Sequence, residues 1–180
     1  MEWGTSGTLD YRKARQMDAL TLLTFQATMA NDLLTQVFAP VTAAQGAWRL
    51  SGSTANAITP TVLHVYTSED RLISGVSGRP TLWESGGWGA RLGVDPANPW
   101  AMVPLDDLAP CRDYASAVRA ATGALLPTLD ADALGRDIPT PRGPRPLGEA
   151  LAFALVLNKV IHLGEIAALL GCQGERGFPF

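Results

Sequence analysis

The sequence predicts an all-α fold, a four-helix bundle with a long irregular loop between its second and third helices. Three observations predict it. Apolar residues recur at helical spacing in four segments, glycine and proline gather between those segments, and no run alternates in the manner of a strand. The 180 residues are 47% apolar and only 17% charged, which suits one domain, 1–180, with a proper core and excludes disorder.

The first helix is expected over Tyr11–Val37, where Leu23, Ala27, Ala30, Leu34, Val37 and Val41 form a seam and Pro40 and Gly46 end it. Ala47–Ala55 reads as a polar connection. The second helix starts between Asn56 and Pro60, with Thr59 as N-cap and Pro60 at the first helical position as one good start. It runs to about Ser74, with Gly75 closing it. Val76–Leu105 keeps no period apart from a short turn at Trp88–Leu92, and its Trp83, Trp88 and Trp100 must bury area somewhere. The third helix fits Leu108 to about Leu126, with Tyr114, Ala117, Ala121 and Leu125 on one face. Asp137–Pro146 reads as an extended linker, and no strand is expected. The fourth helix covers Leu147–Leu170, with Gly171 just past its end.

That fourth segment imitates a membrane span. It carries Glu149, Asn158, Lys159, His162 and Glu165, however, and several ionisable groups at bilayer depth are prohibitive without partners. A helix buried in protein is the better reading. The net charge of −3 and the lack of a dense Lys/Arg cluster exclude nucleic acid and a membrane surface as main partners. The N-terminus does not read as a signal peptide, and Cys111 and Cys172 do not read as a disulfide framework, so a cytoplasmic protein is expected.

The chemistry-bearing residues are few. The chain has only two histidines, His64 and His162, each in a long apolar helix. On the fourth helix Leu151, Leu155, Asn158, His162, Glu165 and Leu169 share one stripe. Asn158 and His162 stand at i, i+4, the spacing that lets two side chains reach a common ion, and His64 would be a third ligand. Against this stands a hydrogen-bonded polar core without metal, which the neutral Asn158 carbonyl favours. Ser68, Glu69 and Asp70 read as the solvated face of the second helix, Asn31 and Asp32 as solvent-facing or locally capping, and Cys172 as a small packing residue.

The pattern Asn56…His64…Glu69, the first helix around Ala30-Asn31, and the run from His162-Leu163-Gly164-Glu165-Ile166 to Gly171-Cys172-Gln173-Gly174-Glu175-Arg176-Gly177-Phe178-Pro179 resemble the DinB-like superfamily. The resemblance implies an up-down-down-up four-helix bundle, often dimeric. It also implies a divalent ion, zinc or nickel, held by one ligand from the second helix and two at i, i+4 on the fourth. Those positions fall on His64, Asn158 and His162, and Asn158 stands where the family has His or Glu. The ion is therefore expected to be weakly held or absent. Two functions follow. One is a metal-dependent enzyme with a degenerate metal site, an S-transferase passing a low-molecular-weight thiol to an electrophilic small-molecule substrate or a hydrolase-like metalloenzyme. The other is a non-catalytic, dimeric small-molecule binder or scaffold with a vestigial site. A homodimer is expected in either case, because the fourth helix is apolar on more faces than a bundle needs. One of the three tryptophans is expected near the histidines, as a lid or as a plug of the bundle end.

Overall fold

The computed structural model describes residues 18–94, 105–141 and 143–178, and they are mostly helical. Helix α1 covers Ala19–Phe38, where Asp18 caps the first turn by accepting the Thr21 backbone N–H at 2.7 Å. Residues 11–17 of the expected first helix lie outside the described residues. The seam is as the spacing implies, with Leu23, Ala27, Ala30, Leu34 and Val37 all buried. A short α2, Ala43–Ala47, follows with a Thr42/Gln45 capping box.

Helix α3 spans Ile58–Ser77. It starts behind Ala57, so Pro60 falls in the first turn, where its missing N–H costs no bond. It also outruns the expected stop. Gly75 lies inside the helix, and Gly78 ends it at φ 68°, a left-handed conformation that glycine adopts without strain. The irregular segment beyond holds two single turns, α4 (Leu82–Ser85) and α5 (Trp88–Leu92), while residues 95–104, and so Trp100, lie outside the described residues.

Helix α6 is Ala109–Leu125, burying Cys111, Tyr114, Ala115, Val118 and Thr122. Ala117, Ala121 and Leu125 sit at the flank of that face instead of its centre. A single turn, α7 (Ala131–Gly135), leads to two residue pairs in antiparallel register, β1 (Asp137–Ile138) with β2 (Arg145–Pro146). The expected linker is extended, but it folds back on itself and forms a ladder where no strand was expected.

The last helical segment runs from Leu147 to Cys172 without a break, as α8 (Leu147–Ala152), a π-helical turn (Phe153–Leu157) and α9 (Asn158–Cys172). It is long and apolar enough to cross a membrane, with mean hydropathy 1.7, yet half of that stretch is buried inside the protein. Helix α3 packs on α6 and α9, and α1 packs on α9 and the π turn. One core centres on Leu34, Ile58, Leu63, Tyr66, Tyr114, Val118 and Ile166. A second, around Leu23, Leu126, Leu147, Leu151 and Leu155, fills the opposite end. Beyond α9 the tail folds against it so closely at Gly177 that a Cβ there would run into the Ala167 carbonyl.

Candidate functional site

Helices α3 and α9 bring the two histidines together. Their ring centroids are 5.1 Å apart and the planes are inclined by 81°, so one imidazole meets the other edge-on. Both residues are half-buried, at the border between core and solvent. His162 Nδ1 lies 2.6 Å from Glu165 Oε2, three residues on along the same helix. The carboxylate accepts the Nδ1 proton, which leaves the lone pair of the neutral ring on Nε2. Burial, then the adjoining His162 and Arg71, hold His64 below the ordinary histidine pKa, while Glu165 pulls the other way. His64 is therefore neutral at physiological pH, the form that can ligate an ion.

Asn158, one turn before His162, is buried. Its amide oxygen is a hard, neutral donor, the weakest member of the expected trio. No three His, Cys, Asp or Glu side chains among the described residues are grouped to hold a metal. The structure thus brings two of the three expected ligands, His64 and His162, side by side, and places Asn158 one turn earlier on the helix of His162. Two imidazoles and a neutral amide make a weaker donor set for a divalent ion than three imidazole or carboxylate ligands.

Below the histidines the helices share a polar core that the sequence reading misplaced. Glu69 and Asp70 are not on a solvated face, since both are fully buried. Glu69 takes Lys159 Nζ at 2.5 Å and the Thr122 hydroxyl at 2.6 Å, and the Lys159 side chain is itself fully buried. Burial lowers the Lys159 pKa and the Glu69 charge works against that shift. Asp70 accepts the backbone N–H groups of Leu82 at 2.9 Å and Trp83 at 2.8 Å, and the Tyr114 hydroxyl at 2.9 Å. Ser68 turns back to its own helix, donating to the His64 carbonyl at 2.7 Å. A signal for the ion pair existed, because Lys159 stands four residues from both Leu155 and Leu163 on the buried seam. For Asp70 there was none, as its partners come from a loop and from α6.

On α1, Asn31 is buried, contrary to expectation, and its Oδ1 finds no hydrogen-bond partner among the described residues. Asp32 is exposed and pairs with Arg119 at 3.0 Å, and the same guanidinium reaches the Thr35 hydroxyl at 2.8 Å. Tyr66 lies beneath, its phenol pushed up to about 12 chiefly by burial. Trp83 meets Tyr114 edge-on and Trp88 lies tilted against it, with ring centroids at 5.3 and 5.4 Å. Their loop is pinned through Asp70, which stands about 120° around α3 and nearly two turns along from His64. Cys111 is buried, with its thiol pushed up to about 12 by burial, and Cys172 is exposed instead of packed.

A family model described as the DinB superfamily matches residues 26–166 of this chain. No curated protein matches the sequence. Among solved structures, a conserved protein from Enterococcus faecalis is similar, with a TM-score of 0.73 at 20% identity over 85% of this chain and 95% of that one. At that identity the likeness concerns the fold.

Proposed function

We propose that this chain, which belongs to the DinB superfamily, works on a small molecule at the paired imidazoles of His64 and His162. The observation that carries the reading is the edge-on pair itself, with Glu165 on the Nδ1 of one ring. A neutral His64 and a His162 ring whose Nε2 lone pair is held in place are what both proton transfer and ion binding need. A divalent zinc or nickel ion would be held by these two rings, with Asn158 as a weak third donor. When bound, such an ion supplies acidification of water or capture of a thiol as thiolate. The activity favoured is transfer of a low-molecular-weight thiol to an electrophile, in which a sulfur–carbon bond forms, the leaving group departs and the thiol proton is lost. A non-catalytic binder with a vestigial site is the second reading, and the neutral amide at position 158 is the observation in its favour.

The surrounding architecture is read as one domain, an up-down-down-up bundle. In support, α1 and the last helix share a core at their beginnings, through Leu23 and Leu147, and meet again at their ends, through Val37 and Leu170. The pairs His64 with His162 and Glu69 with Lys159 set α3 antiparallel to α9. A cytoplasmic location is in keeping with two free thiols.

Titration of the untagged protein with zinc and nickel, beside Asn158→His, tests the site. Weak binding that Asn158→His tightens by orders of magnitude, and that His162→Ala removes, is the expected result. Unchanged affinity in both variants would overturn the assignment. Consumption of a small alkyl thiol in the presence of an activated aryl halide separates the enzyme from the binder.

A further inference from the structure

The stripe of α3 that carries His64 continues beyond the histidine. Ser68 and Arg71 follow at i+4 and i+7, on the same side of the helix. Arg71 stands two turns, about 10.5 Å, along the axis from His64. Helix α9 runs antiparallel to α3, with Glu69 against Lys159 and His64 against His162. Asn158, one turn before His162, is therefore displaced from the ring pair toward Arg71. Glu165 lies at the other end of the pair, engaged with His162. Along the border of the two helices the order is thus Glu165, the two imidazoles, Asn158 with Ser68, and Arg71.

We propose that Arg71 binds a carboxylate on the small molecule received by the histidine pair, so that the site selects acids over neutral ligands. This rests on the histidine pair being the binding site. Three features assign the role to Arg71. The first is availability. Arg119 is committed to Asp32 and Thr35, Arg112 to the Val41 carbonyl, and Arg91 to the face of Trp88. Arg71 is exposed and enters no ion pair or hydrogen bond among the described residues. The two carboxylates before it on α3 do not compete for it. Glu69 is taken by Lys159 and Thr122, and Asp70 by Leu82, Trp83 and Tyr114. The second is position. Besides sharing the stripe of His64, the Arg71 charge is felt at that ring, where it helps to lower the pKa. The third is chemistry. A planar guanidinium grips a carboxylate through two parallel N–H donors. A phosphate would call for a helix N-terminus or a second cation, whereas Arg71 lies well inside α3 and Lys159 is buried against Glu69. Between the rings and the guanidinium stand the Asn158 amide and the Ser68 hydroxyl, whose proton goes to the His64 carbonyl and whose oxygen is left as an acceptor.

The test compares two thiols of equal chain length, mercaptohexanoate and mercaptohexanol, titrated into the full-length protein at neutral pH. Binding is read from the ring nitrogen shifts of His64 and His162, so no turnover is needed. The wild type is expected to bind the acid about ten-fold more tightly than the alcohol. Arg71→Gln is expected to remove that preference, so that both thiols bind alike, and Arg71→Lys to keep part of it, because an ammonium retains the charge without the fork. Arg79→Gln, at an exposed arginine in the segment after α3, serves as control and should keep the full preference. Equal affinities in the wild type would overturn the role of Arg71, as would a preference that survives Arg71→Gln, and in both cases the histidine pair would still stand as the binding site. If neither thiol moves the histidine resonances, the pair is not the binding site, and the role of Arg71 falls with it.

Discussion

Glu165 decides which nitrogen of His162 is left as an acceptor. Free neutral histidine favours the tautomer protonated on Nε2, whereas a carboxylate 2.6 Å from Nδ1 selects the opposite one. Glu165→Leu is expected to shift His162 toward the Nε2-protonated form, read from its ring nitrogen chemical shifts, and to weaken any bound ion about 10- to 100-fold. Unaltered nitrogen shifts would show that the contact does not control the ring. His64 gives a second expectation, on stability. Its folded pKa lies below the 6.5 of the free side chain, so the unfolded chain binds the proton more readily. The stabilisation from a neutral His64 is then complete above pH 6.5 and fades as the pH falls from there through the folded value. Urea unfolding of wild type and His64→Gln between pH 7 and 5 checks this, with a shallower acid slope expected in the variant.

At the scale of single helices, the π turn and the lysine that follows it set the geometry. The turn at Phe153–Leu157 lies just before Asn158, and the next residue, Lys159, enters the core fully buried against Glu69. A π turn adds a residue to the local period and so changes which side chains face inward beyond it. Breaking the pair by Lys159→Met leaves a buried carboxylate without its cation, and a loss of about 3–5 kcal/mol is expected. Adding Glu69→Met should recover most of that loss, because two well-packed apolar groups replace the ions. Chemical denaturation of the single and double variants measures both numbers, and a Lys159→Met protein as stable as wild type would contradict them. What the sequence made legible follows the same division. The α1 seam, the span of α6 within a residue or two, and the long last helix were readable because each has its own apolar period. The inward turn of Glu69 and Asp70 was not, because their partners lie 90 and 44 residues away in sequence at Lys159 and Tyr114. The two histidines were legible as a pair, being the chain's only ones and each set in an apolar helix. Their edge-on arrangement and the grip of Glu165 needed the packed helices.

For the molecule as a whole, the question is what the tryptophan-bearing segment does for the helices beneath it. Leu82–Leu92 is tied down at two places. Asp70 holds its backbone at Leu82 and Trp83, and Tyr114 takes both indoles against its ring. Trp88 is 7% exposed and Arg91 lies 3.7 Å over its ring, so the indole is enclosed from core and solvent sides alike. These ties belong to the side of α3 that carries Asp70, away from the side that carries His64. A lid over the histidines would need to lift, and lifting this segment would strip Asp70 of two hydrogen bonds and expose Tyr114. A fixed plug needs neither. Trp88→Ala is therefore expected to cost about 3–5 kcal/mol, as for a buried aromatic side chain, and to lower the melting temperature by roughly 6–20 °C. It should leave the zinc affinity and the His162 nitrogen shifts where they were. A variant with an unchanged melting point and an altered affinity at the histidines would show the opposite, that the segment covers the site. Asp70→Asn separates the two ties, since it keeps the indoles in place while replacing a charged acceptor by a neutral one. A smaller loss than that of Trp88→Ala is expected, because hydrogen bonds to the amide oxygen survive while their charge-assisted part does not.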